Sequence, residues 1–276
     1  MPILHAIVLG IVQGLTEFLP VSSSGHLLLV PWLFDWHDFD DSATEKAFDV
    51  ALHLGTLVAV VAYFRKDLVV YIREGWRAVV HRRDGVSTEG KVAWLLLLAT
   101  IPAALVGAVF QDQIDEHLGK PGIIGVSLIL FGLLLYVADQ TVGHRKIDGM
   151  SARDAVVIGA AQAIALNPGT SRSGITITAG RFLRFDRDAA ARISFLMAIP
   201  VTAGAVVFKM ADLIKDGIPA DLRVPMVVGI ITSGITGWFA VWGTLKFVRT
   251  HSFLPFVVYR VILGIVVLVI VAGGWR

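Results

Sequence analysis

The chain has 276 residues, 55% hydrophobic and 17% charged, with a mean hydropathy of +0.73. A soluble domain carries nearer a quarter charged residues, so this composition excludes an ordinary soluble protein. The net charge of +2 is too small to point to nucleic acid, and zero cysteines exclude disulfides and thiolate metal sites.

No Lys or Arg precedes the first apolar stretch, so no cleavable signal peptide is expected. Residues 3–34 are apolar but broken at Pro20 and around Ser22–Gly25. A serine run followed by glycine suits a turn and not a helix interior. The segment is therefore predicted as two short helices, 4–19 and 25–33, forming a re-entrant hairpin. The loop 35–46 is acidic, with Asp35, Asp38, Asp40, Asp41 and Glu45. Membrane spans are predicted at 48–64, 92–110, 122–138, 193–208, 224–244 and 253–273, each near the ~20 residues that cross a bilayer. The 65–91 loop is basic, with Arg65, Lys66, Arg73, Arg77, Arg82, Arg83 and Lys91, and is placed in the cytoplasm. The 111–120 loop is acidic again through Asp112, Asp115 and Glu116. A loop with Arg145, Lys146 and Arg153 precedes a second broken segment, 155–180, interrupted at Asn167-Pro168-Gly169. Arg181, Arg184, Arg187 and Arg192 follow it and read chiefly as a topology signal.

These elements repeat. Gly10-x-x-Gln13 with Ser22-x-Ser24-Gly25 matches Gly159-x-x-Gln162 with Ser171-x-Ser173-Gly174 at one offset. Each copy, about 1–140 and about 150–276, is a broken segment followed by three spans. Three is odd, so the second copy is expected inverted. The predicted fold is an all-α polytopic membrane protein, one integral membrane domain. It has six transmembrane helices and two re-entrant helical hairpins in inverted-topology repeats.

Two polar islands, QGLTEFLPVSSSGHL (13–27) and PGTSRSG (168–174), sit in otherwise apolar segments. Ionisable groups at bilayer depth are costly and usually mark a working site. Glu17 lies one helical turn from Gln13, and a buried carboxylate needs a cation or a proton. The serine turn and Gly25 offer backbone N–H groups to an anion, and His26 titrates near neutrality and can move a proton. Arg172, with Thr170, Ser171, Ser173 and Gly174, adds a guanidinium that forks onto phosphate. Together these are the parts of a phosphate site, with Glu17 able to hold a divalent metal. A nucleophilic hydroxyl with His and Glu nearby adds hydrolytic potential: Ser23 or a water is the expected nucleophile, His26 is expected to handle the proton, and Ser22 and Ser24 are expected to bind phosphate beside Gly25. Simpler readings stand beside this one. A serine here can satisfy backbone, and Arg172 can form a purely structural ion pair with Glu17. Asp49 and His53 are expected only as supporting groups, and Arg260 is expected to snorkel or pair. Gly229, Gly234 and Gly237 permit close helix packing, either within the chain or in a homodimer.

The two islands resemble the signature regions of the undecaprenyl-pyrophosphate phosphatases, the bacterial bacitracin-resistance membrane phosphatases. FDVALHLGTLVAVV (48–61) and SFLPFVVYR (252–260) extend the likeness along the chain. The resemblance implies hydrolysis of undecaprenyl diphosphate to undecaprenyl phosphate and inorganic phosphate, recycling the carrier for peptidoglycan synthesis and lowering sensitivity to bacitracin. It implies Mg²⁺ or Ca²⁺ dependence, membrane lipid as surroundings, and a site opening to the outer face of the bacterial cytoplasmic membrane. Its (Glu/Gln)-x-x-x-Glu motif falls on Gln13 and Glu17, its serine turn and histidine on Ser22–His26, and its arginine on Arg172. Since Gln13 is an amide, Glu17 is left to act alone as base and metal ligand. A polyprenyl-phosphate flippase or transporter is the competing expectation, because inverted repeats recur among transporters; a lipid-binding protein without catalysis is the third.

Overall fold

The structure, a computed structural model, describes residues 1–39, 41–80, 85–217 and 219–275. Asp40, Arg82 and Arg83 of the predicted loops lie outside the described residues, as do the side chains of Asp112, Asp115 and Glu116. Among the described residues, regular structure is helical: α1 (Ile3–Phe18), α2 (Ser23–Phe34), α3 (Ser42–Tyr63), α4 (Arg65–Val80), α5 (Thr88–Leu118), α6 (Pro121–Asp139), α7 (Ala152–Ile164), α8 (Arg172–Phe182), α9 (Arg187–Asp216), α10 (Ala220–Val248) and α11 (Leu254–Ala272). Six of them, α3, α5, α6, α9, α10 and α11, are long and apolar enough to cross a membrane. The chain is therefore an all-α, multi-pass membrane protein.

Both predicted interruptions are real breaks. α1 ends at Phe18 and α2 begins at Ser23; α7 ends at Ile164 and α8 begins at Arg172. Other boundaries differ from expectation. The basic loop 65–91 is mostly α4, whose Leu68 and Tyr71 pack against the core while Ile72, Arg73 and Arg77 are exposed. Charge density concealed that periodicity. The predicted loops 111–120 and 209–223 are largely helical, as α5 runs to Leu118 and α9 to Asp216. Hydropathy reports where a helix leaves the hydrocarbon, and these helices continue past that point.

The packing partners cross between the halves of the chain. α1 lies along α10, and α7 lies along α5; α3 meets α9, and α6 meets α11. Glycine makes the first two contacts tight enough for backbones to touch. A Cβ on Gly159 would stand 2.4 Å from the Ala99 carbonyl oxygen of α5. Gly229, Gly234 and Gly237 are likewise used inside the chain, against Leu52 and Phe48, Gly55, and Thr56 and Phe18. A core containing Phe18, Phe64, Leu135, Phe185, Phe195 and Phe253 joins both halves.

At the arginine-rich end, polar groups do more than mark topology. Buried Asp139 accepts from Arg187 Nε at 2.7 Å and from the Phe253 backbone at 3.0 Å, with Arg181 Nε at 3.3 Å. This ties the end of α6 to α8, α9 and the start of α11. Nearby, Arg145 forks onto Asp154 (2.5 and 3.1 Å), which also closes a capping box with Ser151 at the start of α7. Burial disfavours the charged carboxylate, but hydrogen bonds from Arg145 and Ser151 win and hold Asp154 below the ordinary value of 3.8. A depressed folded value stabilises above the unfolded one and is lost as pH falls through the folded one. Asp154→Asn should therefore lower the melting temperature at neutral pH and lose that effect well below pH 3.8, as read by thermal scans across pH.

Candidate active site

Each helix break is turned by a serine in the left-handed region: Ser22 at φ 80° and Ser171 at φ 73°. That conformation is strained for a residue with a Cβ. Here the same side chain compensates by capping the next helix. Ser22 Oγ accepts from the Gly25 N–H (3.3 Å), and Ser171 Oγ accepts from the Gly174 N–H (3.0 Å). The breaks also hold each other. The Gly169 N–H donates to Ser22 Oγ at 3.1 Å, and Ser173 Oγ donates to the Leu19 carbonyl at 3.0 Å. The two polar islands, far apart in sequence, are thereby brought into direct contact.

At their junction one carboxylate connects a guanidinium and a hydroxyl. Arg172 Nη2 lies 2.5 Å from Glu17 Oε1, and Ser23 Oγ donates to Glu17 Oε2 at 2.5 Å. Gln13 Nε2 donates to the same oxygen at 3.2 Å, and His53 Nε2 stands 3.7 Å from it. Thr202 Oγ1 and the Ala198 carbonyl accept from Arg172 Nη1 at 3.0 and 3.3 Å. The group opens into a cavity of about 230 Å³. Its polar lining comprises Glu17, Ser23, Ser24, His53, Ser171, Arg172 and Thr202, and its apolar wall comprises Val50, Ala165, Val201, Ala205 and Val206. A polar end beside an apolar wall suits an anionic head on a hydrocarbon tail. The ion pair expected as the simple alternative exists, and it sits in the cavity wall.

The other expected site residues divide between wall and scaffold. Ser24 and Ser171 line the cavity. Ser22, Ser173, Gly25 and Gly174 are engaged in the turns described above. Thr170 is fully buried and accepts from Asn167 Nδ2 at 2.9 Å. His26 is not in the wall: its Nδ1 pairs with the Ser22 carbonyl and its Nε2 with the Tyr259 hydroxyl, both at 2.6 Å. The imidazole that faces Glu17 is that of His53. Its Nδ1 pairs with the Asp49 carbonyl at 2.7 Å, and since a carbonyl only accepts, Nδ1 carries the hydrogen. In the neutral ring that leaves Nε2 as an acceptor towards the cavity.

The structure adds three participants: Thr202, Tyr259 and, in a new role, Arg260. The first two carry no sequence signal, being ordinary residues in spans. Arg260 did carry one, as a cation inside the last span, but it does not snorkel, and among the described residues its contacts are with backbone carbonyls and not with a carboxylate.

Among the described residues, no three His, Cys, Asp or Glu side chains converge to cage a metal ion. Glu17 offers instead a single carboxylate, with the Ser23 hydroxyl 2.5 Å from it and the Gln13 amide nitrogen, not its oxygen, turned towards it. Such a set fits a hard cation that brings phosphate and water oxygens with it, as Mg²⁺ does, better than one held by protein alone.

Fold and site together define a multi-pass helical membrane protein with an arginine–carboxylate–hydroxyl centre built at two meeting helix breaks. The family described as "Bacitracin resistance protein BacA" matches residues 6–266. A protein of Pelobacter propionicus is 46% identical over 276 residues, covering 99% of both chains. One of Geobacter sulfurreducens is 45% identical over 96% of both, and one of Thermomicrobium roseum 43% identical over 99% of both. All three carry the name undecaprenyl-diphosphatase. The chain belongs to the BacA family.

Proposed function

We infer that this protein is an undecaprenyl-diphosphatase: it hydrolyses undecaprenyl diphosphate to undecaprenyl phosphate and inorganic phosphate. That activity recycles the lipid carrier for cell-wall synthesis and lowers sensitivity to bacitracin. The observation that carries the reading is the Glu17 carboxylate, joined at 2.5 Å to both Arg172 and Ser23 in the wall of a half-apolar cavity. The names of the relatives agree with it.

In this reading the polyprenyl tail lies in lipid and the diphosphate enters the cavity. Arg172 binds the phosphates, and Ser24 and Ser171 add polar contacts. Ser23 Oγ attacks the terminal phosphorus as its proton passes to Glu17 Oε2, the oxygen it already faces. The bond to the bridging oxygen breaks, the electron pair leaves with undecaprenyl phosphate, and Arg172 stabilises that developing charge. Water then cleaves the phosphoserine to release phosphate. A water attacking directly is the alternative nucleophile, with Glu17 as its base. His26, expected to handle the proton, acts in this scheme by bracing the Ser22 turn. A divalent cation, Mg²⁺ or Ca²⁺, would be held by Glu17 and would supply charge neutralisation to the phosphates.

Supporting a pair of inverted repeats are the exchanged packing partners and the matching capping serines in both breaks. Supporting an outward-facing site in the bacterial cytoplasmic membrane is the charge distribution. The cavity residues of α3, Val50 and His53, lie near the middle of that helix, whose start is acidic, while Lys146, Arg181 and Arg187 gather at the other end of the bundle.

The test is inorganic phosphate released from a polyprenyl diphosphate by purified protein, with Mg²⁺ or chelator, beside Glu17→Gln. Cation-dependent release that falls at least about 10²-fold in the variant is expected. Folded wild-type protein that releases none, yet moves the lipid across sealed vesicles, would instead make it a flippase.

A further inference from the structure

Arg260 is completely buried in the first half of α11, and its guanidinium makes an unusual set of contacts. Nη1 donates to the carbonyl of Pro20 (3.2 Å), in the break between α1 and α2. Nη2 donates to the carbonyls of Gly169 (3.0 Å) and Thr170 (2.9 Å), in the break between α7 and α8. Nε donates to the Leu128 carbonyl of α6 at 3.1 Å. Among the described residues no carboxylate pairs with it. A buried cation without a counter-charge is costly and persists only for a reason.

We propose that Arg260 is a positioning residue for the phosphate site: it holds both helix breaks by their carbonyls and lends the site positive charge that no side chain cancels. The peptide plane supplies the mechanism. In a trans peptide the C=O and the following N–H point in opposite directions. A Thr170 carbonyl fixed on Arg260 therefore turns the Ser171 N–H away from it, and Ser171 lines the cavity. Arg172, the next residue, carries the anion-binding fork. On the other island, the Pro20 carbonyl lies three residues before Ser23. One guanidinium thus sets the nucleophile's turn against the phosphate clamp's turn. The charge count agrees. Glu17 and Arg172 cancel, so Arg260 leaves the two breaks with one net positive charge, which a bound anion completes. This inference rests on the phosphatase reading only for its effect on turnover; its effect on anion binding stands apart.

The experiment measures binding of methylenediphosphonate, a non-hydrolysable diphosphate, by calorimetry, together with kcat and KM per folded molecule, for wild type, Arg260→Lys and Arg260→Gln. Arg260→Gln should weaken methylenediphosphonate binding at least about tenfold through loss of the charge. Arg260→Lys should bind within about threefold of wild type yet lose about tenfold in kcat, because a compact ammonium cannot hold both breaks as the planar fork does. A residue that only stabilised the fold would lower the folded fraction and leave binding and kcat per folded molecule unchanged; that result overturns the proposal. If Arg260→Gln does not accumulate, Arg260→Lys decides on kcat per folded molecule alone. Wild-type protein that binds the diphosphonate but releases no phosphate would overturn the hydrolase reading and leave the binding comparison to judge Arg260.

Discussion

Arg172→Ala is expected to lower phosphate release by about 10³-fold or more, the scale seen when a guanidinium is removed from a phosphoryl-transfer site. The loss has two parts. The substitution removes the fork that binds the diphosphate, and it removes the charge that stabilises the leaving phosphate. It also strands Glu17, whose side chain is only 5% exposed, without the cation 2.5 Å away. Breaking a buried pair from one side costs about 3–5 kcal/mol, so the single variant should melt earlier as well as lose activity. The double variant Arg172→Ala with Glu17→Gln removes the stranded charge, and it should recover most of the melting temperature and none of the activity. Phosphate release and thermal scans on the three proteins separate the two effects. An Arg172→Ala protein with substantial turnover would sink the assignment of Arg172 as the phosphate clamp.

The second large effect concerns the frame that carries Glu17. Gly14→Ala should prevent accumulation of folded protein or cost about 3 kcal/mol, the upper range for overpacking. A Cβ there would stand 1.9 Å from Thr236 Oγ1, 2.6 Å from the Ser233 carbonyl oxygen and 2.7 Å from the Gly237 nitrogen. The threonine can rotate, but the other two atoms are backbone of α10 and cannot yield without parting the helices. Gly243→Ala, on the same helix α10 but with open space around its Cβ, is the control and should behave as wild type. Size-exclusion profiles of the two variants give the answer. Equal recovery of both would show that the α1–α10 contact is looser than these distances imply.

Much of the architecture was legible because lipid is a severe selector. Spans must be long and apolar, and breaks must carry residues that turn a chain, so α3, α6, α10, α11 and both interruptions could be placed from hydropathy and from Pro20, Ser22–Gly25 and Pro168-Gly169 alone. α4 escaped because Arg65, Lys66, Arg73 and Arg77 dilute the hydropathy of its apolar residues, and α5 and α9 outran their apolar portions because a helix does not end at the membrane surface. The polar islands announced themselves by being expensive. Composition thus gave a membrane protein, and spacing gave two related islands holding Glu17, Ser23 and Arg172.

Which of those residues face the cavity was decided by tertiary structure. A serine can bind phosphate or cap a helix; Ser22 caps α2 and takes the Gly169 N–H because the second break lies against it. His26 stands in the motif, yet its ring is held by Ser22 and Tyr259, while His53, four residues from Asp49 in a plain apolar span, turns towards Glu17. Thr202 becomes a partner of Arg172 only because α9 passes beside α8. Sequence spacing records neighbours on one helix. The contacts that give these side chains their tasks run between helices, and their directions depend on crossings that glycines such as Gly14 and Gly159 allow.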